Sequence, residues 1–377
     1  MTNRDPEGAR LPIKIDATSN GEFTPVALEK HNIVGNALAH AWAGKNARRL
    51  GVARRNFMIS ACGTASSLLA INHANAMAKK TGSKFDIPAE AALDADAALE
   101  ALSGDEFIFD VQGHYVDPNG AWIQNLSPGA KPFSGMPNAC VGAADKGDLE
   151  YLRCLSADEF IKDVFLDSDT DMMVLSFVPS RRNAEPLTIE EADQTRRIID
   201  AMEGDHRLMI HGRVNPNQPG DLEDMDRLAA DFPIAAWKTY TQWGPDGKGF
   251  FMTDDVGEAM IERARALGIK NIAIHKGLSF GPSSYEHSLC SDIGEAAKRH
   301  PDINFILYHA GYDTAVKEGA FTPGAGKSAG MDVLCQSLID SGIEPGANVY
   351  AELGSTWRFL MRDPDQGAHA GKRRNRT

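Results

Sequence analysis

FIFDVQGHYV, at residues 107–116, opens a series of short apolar segments that decides the fold class of this chain. Each segment is almost continuously apolar, ends in polar residues and is followed by a helical pattern. That alternation predicts parallel strands that are buried on both faces and joined by crossover helices. The predicted strands are 107–116, 172–179, 208–214, 234–241, 271–278, 304–311 and 348–354.

Seven such strands predict an α/β fold, a (β/α)8 TIM-type barrel that lacks an evident eighth strand and carries an N-terminal extension. An open doubly wound sheet is the alternative, although no G-x-G-x-x-G follows a strand to support a dinucleotide-binding version. We assign residues 105–363 to the barrel and residues 364–377 to a basic tail. This abrupt tail leads us to expect a truncated or frame-shifted product rather than a natural seven-stranded variant. An open barrel would leave the edges of its first and last strands unpaired.

Composition excludes several classes of protein. The chain has 377 residues, of which 42% are hydrophobic and 24% charged, as is usual for a globular protein. Its mean hydropathy is -0.31, and no apolar run is long enough to span a bilayer. The net charge of -13 argues against nucleic acid as a partner. Five dispersed cysteines argue against a disulfide scaffold.

The first hundred residues lack the alternation of apolar strands and helices that is seen in the predicted barrel. Residues 1–52 are interpreted as an N-terminal arm that includes one helix, and residues 77–104 as a linker with a short helix. Between them, residues 53–76 resemble a twin-arginine export signal. Arg54 and Arg55 precede a mildly apolar stretch, and an A-x-A pattern ends at Ala76. This interpretation predicts a periplasmic or exported protein that engages the twin-arginine translocon. The alternative is a buried helix in a cytoplasmic protein.

Polar residues lie at the carboxyl ends of the predicted strands, where a (β/α) barrel has its catalytic and binding residues. Those that end six of the strands are His114, His211, Lys238, His275, His309 and Glu352. A single histidine at a strand end is more often structural, but repetition at equivalent positions favours a site. Neutral imidazoles that converge on one point suit a divalent transition metal such as zinc.

Other side chains near these ends are candidates for substrate binding. Arg213 would bind a substrate carboxylate through two hydrogen bonds, or else cap a backbone carbonyl. Trp237 and Tyr240 lie in the fourth strand, where they would either pack or line a pocket for an apolar or aromatic substrate. Lys238 would act as a bridging or electrophilic lysine, or else pair with a carboxylate.

At these residues the sequence resembles the amidohydrolase superfamily, and more narrowly the amidohydrolase-related group that includes aminocarboxymuconate-semialdehyde decarboxylase. The motifs FIFDVQGHYV, IAIHKG, ILYHAG and VYAELGS carry the resemblance, which covers roughly residues 106–363. Members of this family use an H-x-H pair on the first strand, a histidine after the fifth, another after the sixth and an aspartate after the eighth. The resemblance implies that His114 and His275 bind the metal, and that His309 orients the water or the substrate.

The chain departs from this pattern at two points. Gln112 stands where the family has the first histidine of the pair, and an amide oxygen is a weak ligand for zinc. We therefore expect a lower metal affinity or a changed metal preference. The aspartate of the eighth strand is not evident, so Glu352 or Asp110 would have to replace it. Asp110 also completes the candidate metal ligands, with Gln112, His114 and His275.

These observations predict a metal-dependent hydrolase that acts on a small amide, ester or lactone through a metal-activated water, with zinc as the expected cofactor. The predicted catalytic residues are His309, Lys238 and Glu352. Non-oxidative decarboxylation in the same family is the first alternative. A truncated, catalytically inactive remnant is the alternative from another class. The expected partners are a small-molecule substrate and further copies of the chain in a homo-oligomer.

Overall fold

The structure is a computed structural model, and it describes residues 11–15, 27–80, 84–104, 107–134, 149–203, 206–279, 284–326, 328–360 and 367. The chain forms two compact units. One comprises residues 1–106 with 360–368, and the other residues 107–359 with 369–377. The predicted tail at 364–377 lies outside the described residues except for residue 367.

The first unit is helical. Its helices are α1 (Lys30–Arg49), α2 (Arg54–Met58), α3 (Ala61–Met77) and α4 (Ala95–Leu102). Helices α1 and α3 pack closely because their facing positions carry small residues, among them Ala43, Ala47 and Ala65. Asn46 joins the two helices by donating a hydrogen bond to Ser66 Oγ at 3.0 Å.

The segment that resembles an export signal is folded within this unit. Residues 53–76 form α2 and most of α3, and Phe57 and Met58 are only 1% and 3% exposed. Ala74 and Asn75, from the predicted cleavage pattern, are buried on α3. Export through the translocon stays a prediction, and it would require this packed helix to be released.

The second unit contains the sheet, which confirms the predicted fold class. Its strands are β1 (Phe109–Gly113), β2 (Met172–Leu175), β3 (Leu208–Arg213), β4 (Ile234–Tyr240), β5 (Asn271–His275), β6 (Asn304–Tyr308) and β7 (Val349–Ala351). The strands follow one another across the sheet in sequence order, and every neighbouring pair is parallel. Parallel neighbours in sequence order are the arrangement of a TIM-type barrel.

Helices flank this sheet. They are α5 (Ala157–Ile161), α6 (Ile189–Glu203), α7 (Asp221–Asp231), α8 (Asp255–Ala266), α9 (Ile293–Arg299), α10 (Met331–Ser341) and α11 (Trp357–Leu360). Helix α6 begins where it does because Thr188 and Glu191 form a capping box. Glu191 Oε2 accepts from Thr188 N, and Thr188 Oγ1 accepts from Glu191 N. Helix α8 is followed by Gly268 in the left-handed conformation that such a helix end requires.

The sheet curls but does not close through the residues that the structure describes. Tyr308 on β6 donates a hydrogen bond from its hydroxyl to the carbonyl of Val111 on β1. Between β1 and β7 lies a cleft of about 820 Å³, lined by residues of both strands. Within the described ranges neither strand has a second strand beside it. Over the described residues the barrel therefore has seven strands and an open side, as the sequence predicts.

Two further predictions concern membrane-spanning segments and the cysteines. No helix in the described ranges combines the length and the apolarity needed to cross a membrane. Cys62, Cys290 and Cys335 are buried thiols that are not disulfide-bonded. Cys154 is disulfide-bonded, which the scattered cysteines did not predict. Cys140 lies outside the described residues.

Candidate active site

The carboxyl ends of the strands bring together one cluster of buried polar side chains. In register, Tyr240 on β4 pairs with His275 on β5, and His275 pairs with Tyr308 on β6. The His275 ring stacks on Tyr240 at 4.7 Å between centroids and meets the His309 ring edge-on at 4.5 Å. Regular parallel pairing thus places side chains from separate strands in contact.

Lys238 is the most unusual member of the cluster. It is fully buried on β4, and its Nζ has no hydrogen-bond partner within the described part of the chain. The Nζ lies 3.7 Å from the centre of the Tyr308 ring and 4.5 Å from that of Tyr240. Desolvation lowers the pKa of Lys238 well below its ordinary value, against a smaller opposing effect of Glu352. Aromatic faces stabilise a cation only in part, so burial favours the neutral amine.

The imidazoles around Lys238 are held in their neutral form. Desolvation, followed by the nearby Lys238 charge, lowers the pKa of His309 to about 3 and that of His211 well below its usual range. For His275 the causes are desolvation, then His309 and Lys238. The same two effects lower the pKa of His114, an exposed residue, to about 4, and its hydrogen bond to the Ser176 carbonyl opposes them. Neutral imidazoles are the form that binds metals.

His309 is held in a strained backbone conformation. Its φ is 70°, and Ala310 and Gly311 follow with φ of 50° and 75°. Consecutive left-handed residues that are not glycine are costly, and they persist only where the surroundings enforce them. Glu352 contributes by accepting a hydrogen bond from the His309 backbone N–H at 3.3 Å. The Nδ1 of His309 is buried and has no partner among the described residues.

Glu352 connects this cluster to the cleft between β1 and β7. It lines the cleft together with Asp110, which is exposed. Burial raises the pKa of Glu352 to about 7, and the repulsion of Asp110 adds to this, while the His309 N–H and Lys238 oppose it. A carboxyl group that titrates near neutrality can both accept and donate a proton.

Gln112 and His114 provide the donor atoms on the β1 side. His114 Nδ1 lies 3.0 Å from the Ser176 carbonyl, which fixes the proton on Nδ1 and leaves the lone pair on Nε2. Gln112 Nε2 lies 3.3 Å from that Nε2, and Gln112 Oε1 is buried with no partner in the described ranges. Asp110 Oδ1 accepts instead from the Gln112 backbone N–H at 2.9 Å.

These donors fit a divalent cation in type. Gln112 Oε1 and His309 Nδ1 are buried and have no partners among the described residues, and the surrounding imidazoles are neutral. However, no group of three or more His, Cys, Asp or Glu side chains among the described residues is close enough to hold a metal ion. The fit therefore depends on the amide oxygen of Gln112, a ligand type that zinc favours less than a histidine.

Two of the predicted substrate-binding residues lie apart from this cluster. Arg213 forms ion pairs with Glu185 and with Asp221, whose Oδ2 is 3.2 Å from Nη1. Trp237 is fully buried and packs on Gly212 of the neighbouring strand. Because side chains alternate along a strand, Trp237 faces away from the side that carries Lys238 and Tyr240. Tyr240 is the predicted binding residue that the structure places within the cluster.

Sequence reasoning missed two residues of the cluster. The Lys238 Nζ lies over the Tyr308 ring, and the Tyr308 hydroxyl lies 3.5 Å from His211 Nε2. Ser176 follows β2, and its hydroxyl lies 3.1 Å from His211 Nδ1 while its carbonyl faces His114. Each residue stands next to a predicted feature, Tyr308 directly before His309 and Ser176 directly after a strand. That position is the signal that could have found them.

Comparison with known proteins yields likeness to solved structures only. No family model matches the chain, and no curated protein matches it. One similar structure is 2,6-dihydroxybenzoate decarboxylase from Rhizobium, at 14% identity and a TM-score of 0.36 over 69% of this chain and 85% of that one. Another is an amidohydrolase from Mycobacterium avium subsp. paratuberculosis, at 15% identity and a TM-score of 0.35 over 69% and 87%. A second structure of 2,6-dihydroxybenzoate decarboxylase, in complex with 2,6-dihydroxybenzoate, has 13% identity and a TM-score of 0.34 over 69% and 85%.

Proposed function

We propose that this chain is a metal-dependent hydrolase that acts on a small amide, ester or lactone at the carboxyl ends of its strands. The observation that carries the proposal is the gathering of buried, neutral imidazoles from three strand ends, His211, His275 and His309, around Lys238, beside a carboxyl group whose pKa is about 7. Such perturbed groups in one place are typical of active sites.

The residues proposed to hold the cation are Gln112, His114 and His275, whereas Asp110 is exposed and does not form a set of three His or carboxylate ligands with the two histidines. A divalent ion such as zinc would polarise the substrate carbonyl and bring the pKa of a water molecule towards neutrality. The Ser176 carbonyl sets the tautomer of His114 for this role. The resemblance of the sequence to the amidohydrolase superfamily supports the same assignment.

Glu352, His309 and Lys238 have separate roles in the proposed reaction. Glu352 accepts the proton from the attacking water and later donates it to the leaving group, because its pKa near 7 makes both forms available. His309 is neutral and rigidly held, so it orients the water or the substrate carbonyl by a hydrogen bond. The amine of Lys238 donates a hydrogen bond to the oxygen on which negative charge develops. Tyr240 and Tyr308 exclude water from that amine.

Non-oxidative decarboxylation is the second candidate, and Glu352 is the residue that favours it. In that reaction the bond between carbon and the carboxylate breaks, its electron pair stays on the carbon, and carbon dioxide leaves. A protonated Glu352 would supply the proton to that carbon. The raised pKa keeps a large fraction of this group protonated near neutral pH.

The test is elemental analysis of the purified protein, followed by assays with added zinc or manganese. Ester, lactone and amide hydrolysis would be measured beside release of carbon dioxide from aromatic carboxylates. We expect the purified protein to contain bound metal and to catalyse hydrolysis. His275→Ala should abolish this hydrolysis, and the control variant His206→Ala, at an exposed position, should leave it unchanged. Carbon dioxide release instead of hydrolysis would select the decarboxylase. Absence of both bound metal and activity would make the chain an inactive remnant.

A further inference from the structure

Charge is distributed very unevenly along this acidic chain. Residues 30–85 contain nine basic residues and no acidic residue, whereas the whole chain has a net charge of -13. The nine are Lys30, Lys45, Arg48, Arg49, Arg54, Arg55, Lys79, Lys80 and Lys84. A local excess of this size marks a surface that attracts anions, which the total charge conceals.

Residues 48–59, here called the arginine turn, are the most exposed part of this basic region. Every residue from Arg48 to Asn56 is exposed. The turn also carries exposed aliphatic side chains, with Leu50 at 41%, Val52 at 42% and Ile59 at 80%. Four arginines and three exposed apolar residues therefore lie within twelve positions.

The arginine turn is ordered by its own backbone. Gly51 has a φ of 67°, its N–H bonds to the Arg48 carbonyl, and the Val52 N–H bonds to the Ala47 carbonyl at 3.0 Å. These are the two hydrogen bonds of the Schellman motif, which ends α1 in a fixed geometry. Phe57 and Met58 then anchor the turn in the helical core. Its exposed apolar side chains are consequently held outwards and cannot fold back into the core.

We propose that the arginine turn docks this protein on an anionic lipid bilayer. Guanidinium groups pair with phosphate through two hydrogen bonds, and basic residues near an anionic leaflet each strengthen binding. Aliphatic side chains enter the boundary between headgroups and acyl chains. That second component favours a bilayer over nucleic acid, because contacts to a phosphate backbone leave Leu50, Val52 and Ile59 in water.

The test is co-sedimentation of the full chain with phosphatidylcholine vesicles that contain either a quarter phosphatidylglycerol or none. We expect binding to the anionic vesicles only, and weaker binding as salt rises. Arg54→Gln with Arg55→Gln should reduce the partition coefficient about 30-fold. Ile59→Ser should reduce it about tenfold without changing the net charge. Circular dichroism would verify that each variant keeps its helix content.

The matched control is Arg153→Gln with Lys248→Gln, which removes the same charge at exposed positions of the barrel unit. This control should bind anionic vesicles as the parent does. Equal losses in the control and in the arginine-turn variants would overturn the proposal, as would sedimentation with neither kind of vesicle. Binding to duplex DNA that Ile59→Ser leaves unchanged, without vesicle binding, would assign the turn to nucleic acid and also overturn it.

Discussion

Two fully buried lysines in the same barrel have opposite surroundings. Lys276 follows β5, and its Nζ lies 2.7 Å from Asp292 Oδ1 and 3.1 Å from the His287 carbonyl. Lys238 on β4 faces two tyrosine rings, and its Nζ has no hydrogen-bond partner in the described ranges. Equal burial therefore accompanies a completed ion pair in one region and, among the described residues, an amine without a hydrogen-bond partner in the other.

The difference distinguishes a structural lysine from the lysine for which we propose a catalytic role. A buried charge is tolerated when a counter-charge and hydrogen bonds replace the lost water. The Lys276 region meets this condition. The Lys276–Asp292 pair connects the residue after β5 to the start of α9, and Asp292 Oδ2 also accepts from the Met252 N–H at 2.7 Å. The Lys238 amine has no counter-charge or hydrogen bond of this kind in the described ranges. A site that retains a buried group at this cost in stability is a candidate for a catalytic site.

The largest effect should come from breaking the completed pair. Lys276→Met leaves the Asp292 carboxylate buried without a cation, so we expect the free energy of unfolding to fall by about 3–5 kcal/mol. Urea denaturation followed by circular dichroism would measure it. Adding Asp292→Asn should restore most of the loss, because an amide still accepts from Met252 and carries no charge. Single variants as stable as the parent would remove the contrast between the two regions.

Lys238→Met should produce the opposite pattern. Methionine has a similar length, needs no hydrogen bonds and removes the cost of desolvating the amine, so we expect the free energy of unfolding at neutral pH to stay the same or to rise by about 1–4 kcal/mol. Hydrolysis with added zinc should nevertheless fall about 100-fold, because the proposed donor to the developing oxyanion is gone. Urea denaturation and the rate of lactone or ester hydrolysis would be measured on the same preparation. Loss of stability without loss of rate would make Lys238 a structural residue.

The comparison also indicates what the sequence could predict. All seven strands were recognisable, because strands buried on both faces leave apolar runs such as 234–241. Their lengths were overestimated, as the observed β1 (Phe109–Gly113) shows against 107–116, because apolar residues continue into loops that pack on the barrel. The histidines at strand ends were also found. The partner of a buried lysine was not, since Lys276 and Asp292 lie 16 residues apart and only tertiary packing joins them.

A third prediction uses pH to distinguish the two lysines. The pKa of Lys238 is lower in the folded than in the unfolded chain, so above its folded value and below about 10.5 the unfolded state binds one more proton. Stability should therefore rise with pH in that window, by at most about 1.4 kcal/mol per pH unit. Lys238→Met should flatten this part of the curve of unfolding free energy against pH. An unchanged slope in Lys238→Met would show that other groups cause it.

The smallest effect on stability is expected at Glu352, which is only partly shielded from solvent. Its folded pKa of about 7 is above that of a free carboxyl group, so the folded state holds an extra proton between about pH 4.5 and 7. Stability should thus fall as pH rises through that range, and Glu352→Gln should remove the slope, which we expect to be worth about 1 kcal/mol in total after solvent screening. The same variant should abolish the limb of the rate profile near pH 7, while Lys276→Met keeps it. A limb that persists in Glu352→Gln would assign that titration to a different group.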